Sequence, residues 1–218
     1  MYHWITDKGF LEKMRRECSD VVNRLVTSIN NDNVMVVEMH MVGSGAKHLE
    51  TQNEKEPIDL DYNINIVEIY PYGINECKNI KEYIRKMFNK VLQSKGWGDC
   101  SDSKSALTTK QMHFLQGNQT PFSIDLCITT YSKNKWYRLI HKKTGIVAND
   151  EWIWNEGPNS SNLVKKVNWL KKKGVWEKVR NTYLTKKNMY LTRHDSNHPS
   201  FNCYIESVNE IYDKEGGK

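Results

Sequence analysis

No uncharged apolar stretch in the 218 residues approaches the roughly 20 needed to cross a bilayer. The N-terminal MYHWITDKGF does not join a basic region to an apolar run, so no secretory signal is expected. Cysteine is sparse: Cys18, Cys77, Cys100, Cys127 and Cys203 are odd in number, scattered, and form no CxxC pair. That excludes a disulfide framework and a cysteine zinc site, and it points to a reducing, cytoplasmic setting with the thiols acting as small buried hydrophobes. No internal repeat and no low-complexity tail is present. Membrane and export readings therefore fall away. With 38% hydrophobic, 27% charged and 11% aromatic residues, the composition is that of a soluble globular protein. The length suits one domain, or one domain with a small appendage.

The net charge of +6 is unevenly placed. Between Ser161 and Lys187 stand nine Lys/Arg (Lys165, Lys166, Lys171, Lys172, Lys173, Lys178, Arg180, Lys186 and Lys187) against the single acid Glu177. That segment carries +8 and the rest of the chain −2. Such a concentration suits polyphosphate or nucleic acid, or else a solvated helix face.

Residues 7–29 read as an amphipathic helix, with Phe10, Met14, Cys18, Val21, Val22, Leu25 and Ile29 at 3–4 residue spacing and Thr6 or Asp7 as its cap. Residues 34–42 form a strand that runs into Gly43-Ser44-Gly45. The clearest alternation follows: Ile58, Leu60, Tyr62, Ile64 and Ile66 face one way, and Asp59, Asp61, Asn63 and Asn65 the other. Residues 78–95 make a second amphipathic helix stopped by Gly96. Residues 106–115 and 122–130 are expected as strands around a turn at Gly117-Asn118, and 136–141 as a short edge strand. Residues 145–160 read as a connection. Helices are then expected around Leu163–Leu170 and Trp176–Leu184, with a last one opened by Pro199. The fold class is α/β (α+β): a mixed-sheet core with helices packed on it over 1–145, then a small, basic helical lobe over 146–218.

Asp59 and Asp61 project from one strand face about 7 Å apart. Their repulsion is relieved by a divalent cation, and hard carboxylate oxygens are what Mg²⁺ prefers. Asp125 sits between Ile124 and Leu126, where an acid is costly unless paired or metal-bound. If the two strands are neighbours, the three carboxylates form a ligand set for two metals roughly 3.5–4 Å apart. Gly43 and Gly45 allow the backbone amides and the Ser44 hydroxyl to approach phosphate oxygens.

This order resembles the polymerase-β-like nucleotidyltransferase superfamily, whose motif is apolar-Gly-[Gly/Ser], a spacer, then Asp-apolar-[Asp/Glu]-apolar. Here it stands as Val42-Gly43-Ser44 and Asp59-Leu60-Asp61-Tyr62, with the later Asp125 in Phe122-Ser123-Ile124-Asp125-Leu126. The 14 residues between Ser44 and Asp59 slightly exceed the usual spacer. The helix before the Gly-Ser strand and the helical tail look like the branch of animal cGAMP synthase and the bacterial DncV-like enzymes, and minimal nucleotidyltransferases share the same core. The resemblance implies transfer of a nucleoside monophosphate from an NTP, using two Mg²⁺ or Mn²⁺ ions. Asp59 and Asp61 would hold both metals and Asp125 would complete the catalytic one. Gly43 and Ser44 would bind the β- and γ-phosphates, with Lys165 and Lys166 neutralising triphosphate charge. The acceptor is left open among a second nucleotide, an RNA end, a protein hydroxyl and a small molecule.

Rival readings lack their letters. A P-loop needs a second glycine after a four-residue gap and a Lys-[Ser/Thr] ending, and Gly43-Ser44-Gly45-Ala46-Lys47-His48 has neither. A dinucleotide fingerprint needs glycine where His48 stands. A D-x-D glycosyltransferase needs neither the Gly-Ser nor the third Asp. The alternative of another class is a non-catalytic nucleic-acid-binding protein using the basic 161–187 segment, with Trp176, Tyr183 and Tyr190 stacking on bases. Arg193-His194-Asp195 with His198 reads as a polar loop, because no further ligand is spaced to join the two histidines.

Overall fold

A computed structural model describes residues 1–70, 73–157, 161–193 and 199–217. In chain order the elements are β1 (Tyr2–Trp4), α1 (Lys8–Asn31), β2 (Met35–Met41), β3 (Thr51–Asn53), β4 (Ile58–Ile69), α2 (Cys77–Ser94), β5 (Ser101–Asp102) and β6 (Leu107–Thr108). There follow β7 (Phe122–Ser132), β8 (Lys135–Lys142), β9 (Glu151–Glu156), α3 (Ser161–Lys172), α4 (Trp176–Tyr190) and α5 (Ser200–Lys214). They group into two compact units: a sheet unit of Asp7–His48 and the described part of Pro57–Pro158, and a helical unit of Met1–Thr6, Leu49–Glu56 and the described part of Asn159–Lys218.

In the sheet unit, α1 starts where Asp7 Oδ1 accepts the Phe10 N–H at 2.9 Å. It buries the seven residues that the periodicity selects. The sheet runs β2-β4-β7-β6-β5, with β8 pairing with β7 and β9 with β8. All its pairings are antiparallel except β4 with β7, which is parallel. A parallel pair needs a crossover, and α2 with β5 and β6 lies between the two strands in sequence. Ile58, Leu60, Tyr62, Ile64 and Ile66 are buried on one face of β4, where the Tyr62 hydroxyl meets Ser19 of α1 at 3.0 Å.

Two expectations change in this unit. The strand expected over 106–115 pairs regularly only at Leu107–Thr108, with an isolated bridge at Met112. The Thr109 hydroxyl accepts the Ile124 N–H at 2.9 Å, taking the place of a backbone carbonyl, and Lys110 and Gln111 are exposed. The 145–160 connection contains β9, so β8 is an interior strand and not an edge. Distant partners hold it: Trp154 Nε1 donates to the Ile74 carbonyl at 2.7 Å, and Trp152 stacks on His141 at 4.1 Å.

A buried ionic chain braces the same unit. Lys81 is 1% exposed and pairs with Asp102 at 2.5 Å. Asp102 meets His141 Nδ1 at 2.6 Å, and His141 Nε2 meets Asp150 at 3.0 Å. Lys81 also donates to the Ser103 carbonyl at 2.9 Å. Lys81 and Asp102 thus face opposite charges, which is the condition for burying them, and His141 links Asp102 to Asp150 by hydrogen bonds.

The helical unit has its own core of Leu49, Leu170, Val179, Tyr183, Cys203, Tyr204, Val208 and Ile211. Trp4, Trp169, Trp176, Tyr190 and Tyr212 pack against it. Tyr183 is 2% exposed, so the base-stacking role offered for it is replaced by a core role. β1 pairs with β3 in a two-stranded sheet, and Asn188 of α4 clamps Tyr2 through both backbone groups at 2.7 and 2.9 Å. The last helix begins at Ser200, one residue after the extended Pro199. His194, Asp195 and His198 lie outside the described residues.

Candidate active site

The site is assembled by strand register. In a parallel pair, partners project to the same side. Asp61 stands opposite Asp125, and Asp59 opposite Ser123. All three carboxylates therefore share the open face of the sheet, as their alternation with buried residues requires.

Hydroxyls hold two of them. Ser123 Oγ donates to Asp59 Oδ1, and Thr108 Oγ1 donates to Asp125 Oδ1 at 2.5 Å. Thr108 is placed for this because β6 pairs with β7, with Thr108 opposite Asp125. Among the described residues, no hydroxyl donates to Asp61 in this way. Burial, then the charges of Asp125 and Asp59, push its pKa up to about 6, against the pull of Arg138 and Lys47. Burial and Asp59 also raise Asp125, while the Thr108 hydroxyl lowers it. The face thus concentrates negative charge that it does not neutralise.

The loop after β2 fits against this cluster. The Val42 N–H donates to the Asp61 carbonyl at 2.9 Å, tying the strand end to the acid. Gly43 then turns with φ +62°. A Cβ there would overlap the Asp61 carboxylate, with Cγ 2.8 Å away, so the position requires glycine. Ser44 opens a single 3₁₀ turn, Gly45–Lys47, and its side chain makes no capping bond. Among the described residues, the N–H groups of Gly43, Ser44 and Gly45 donate to no protein acceptor. Successive N–H groups of this kind form an anion-binding concavity.

Two cations of this unit were not foreseen. Lys47 donates to the Gly43 carbonyl at 2.9 Å, and burial lowers its pKa while Asp61 raises it. Its place three residues after Ser44 was the available signal, since one tight turn brings it back to the loop. Arg138 of β8 reaches Asp61 and Cys127 with its charge. Its relevance depends on the β7–β8 register, which local sequence does not carry. Thr108 and Ser123 were missed as carboxylate partners for the same reason.

Lys165 and Lys166 lie on α3, in the helical unit. Lys166 donates to Asn209 Oδ1 at 2.7 Å and lies over the Tyr212 ring at 4.9 Å. The basic segment is largely engaged within its own unit. Lys173 and Lys178 pair with Glu215, Lys186 with Glu206 and Glu210, and Arg180 with Glu177. Lys187 is 6% exposed and donates to the Thr51 hydroxyl at 2.7 Å.

The donor set suits a divalent cation: hard oxygens, crowded like charges, and hydroxyls that fix one oxygen on each of Asp59 and Asp125. Among the described residues, no three His, Cys, Asp or Glu side chains are already drawn together around an ion position. Nor is any described helix long and apolar enough to cross a membrane.

No protein-family model matches the sequence, and no curated protein does. Solved structures do match. CdnC of E. coli MS115-1, in complex with HORMA-deltaN, is 13% identical with a TM-score of 0.60, over 97% of this chain and 61% of that one. CdnC with ATP is 14% identical with a TM-score of 0.58, over 94% and 61%. The DncV cyclic AMP-GMP synthase of Vibrio cholerae, a prokaryotic cGAS homologue, is 13% identical with a TM-score of 0.45, over 70% and 38%. The chain thus spans about two to three fifths of the length of these proteins. The chain shares its fold with CdnC.

Proposed function

We propose that the chain is a divalent-metal-dependent nucleotidyltransferase that moves a nucleoside monophosphate from an NTP to a hydroxyl acceptor and releases pyrophosphate. One observation carries this reading: Asp59, Asp61 and Asp125 share an open sheet face beside the free amides of Gly43–Gly45. CdnC, which has this fold, was solved with ATP, and that supports an NTP as donor.

Asp59, Asp61 and Asp125 would hold Mg²⁺ or Mn²⁺, which supplies charge neutralisation and a lowered pKa at the acceptor hydroxyl. The amides of Gly43, Ser44 and Gly45 and the Ser44 hydroxyl bind the β- and γ-phosphate oxygens. Lys47 and Arg138 offset triphosphate charge near Asp61. Asp125 accepts the acceptor's proton. The acceptor oxygen forms a bond to the α-phosphorus, and the bond from that phosphorus to the bridging oxygen breaks as pyrophosphate leaves.

The test is pyrophosphate release from mixed NTPs with Mg²⁺ or Mn²⁺, with products weighed by mass spectrometry. Release is expected from the wild type and should fall roughly 10³-fold, about 4 kcal/mol, in Asp61→Ala. Equal release from the variant, or no Mg²⁺-dependent NTP binding by the wild type, would overturn the reading. Product masses report whether nucleotides themselves serve as acceptors.

A further inference from the structure

The open face continues beyond the carboxylates. Along β4 it carries Asn63 and then Asn65, opposite Cys127 and Thr129 of β7 and opposite His40 and Glu38 of β2. β8 adds Arg138, opposite Thr129. Asn65 is 8% exposed, and its Oδ1 has no hydrogen-bond partner. The Oδ1 of Asn63 is buried and unpartnered as well. No hydrogen bond joins either carboxamide to another described residue.

Two unanswered carboxamides in a row are costly to a fold and need a reason. Apolar residues would serve a purely structural role better at both places. A carboxamide presents an acceptor beside a donor, the pattern that matches the edge of a nucleobase. Spacing agrees: Asn63 is one step of about 7 Å along the strand from Asp61, and Asn65 one step further. The long side chains flanking these amides, Glu38, His40 and Arg138, are exposed, and Arg138 makes no ion pair with any described residue. A flat ring can displace such side chains without moving the strands.

We infer that Asn63 and Asn65 form a base-recognition subsite, in which a nucleobase of the NTP held at the carboxylates lies along β4 and hydrogen-bonds to the two carboxamides. This rests on the nucleotidyltransferase reading and extends it: the protein distinguishes one base from another and does not hold the triphosphate alone. A buried polar group that loses its ligand partner is left unpaired, which is how such sites reject the wrong base.

Equilibrium binding of the four NTPs and of inorganic tripolyphosphate, with Ca²⁺ as a non-turnover cation, tests the assignment. The wild type should bind one NTP at least about tenfold more tightly than tripolyphosphate and should rank the bases. Asn65→Leu and the nearly isosteric Asn65→Asp should both flatten that ranking while leaving tripolyphosphate affinity unchanged. Asp61→Ala should lose both ligands. Unchanged base ranking in both Asn65 variants, or equal affinity of the wild type for NTP and tripolyphosphate, would overturn the subsite and leave the metal-site reading standing. If the wild type binds none of these ligands, the nucleotidyltransferase reading fails as well.

Discussion

The two units treat charge in opposite ways. The helical unit contains the most basic stretch of the sequence, yet seven of that stretch's nine cations are engaged inside the unit, four of them by glutamates. The sheet unit is less conspicuous in sequence, yet it leaves carboxylates crowded, amides free and carboxamides unpartnered on one face. A run of like charges is a property of sequence, whereas an unmet electrostatic demand is a property of the fold. The second is the better guide to where a ligand acts.

The sheet unit itself contains the same contrast, and it can be broken there. Lys81 is a satisfied buried charge, so Lys81→Met should destabilise the fold by about 3 kcal/mol by leaving Asp102 with His141 as its one side-chain partner among the described residues, as read by urea denaturation. Asp61 is an unsatisfied one, and its removal should act in the other direction. Its pKa of about 6 lies above the ordinary 3.8, so the folded state binds the extra proton and stability falls as pH rises between those values. Asp61→Asn should therefore stabilise the metal-free protein at pH 7 by roughly 1–3 kcal/mol, and the gain should vanish near pH 4. A destabilised Asp61→Asn at pH 7 would make Asp61 a structural acid.

Between units, Lys47→Ala should raise the NTP KM about tenfold, while Lys165→Ala with Lys166→Ala should change it by less than about threefold. The reverse order would return triphosphate binding to α3. The smallest effect concerns positioning. Thr108→Val should cost a few-fold in activity and raise the Mg²⁺ concentration needed for half-maximal rate, about 1 kcal/mol for one hydrogen bond. Thr108→Ser should restore both.

Local periodicity was enough to read α1, β4, α2 and β7, because each repeats its apolar positions over several turns or pleats, while the choice of Asp7 over Thr6 as the α1 cap came from the structure. The three acids were legible as residues, but their meeting was conditional on two strands being neighbours, and only the parallel register supplies that. Short elements escaped. β9 depends on Trp152 and Trp154 finding His141 and Ile74, and β1 and β3 pair across almost fifty residues of chain. Asn63 and Asn65 were visible on the open face, but their lack of partners emerges only once every neighbour is placed.

The parallel pairing of β4 with β7 also bears on kinetics. β4 and β7 are separated in sequence by α2, β5 and β6, and long-range pairing of this kind is slow to form. The expectation from this topology is that Asp61 and Asp125 become neighbours late in folding. A cation bound between them would stabilise the native state more than the transition state. It would slow unfolding while leaving the folding rate almost unchanged, giving the loaded protein a longer native lifetime without faster folding.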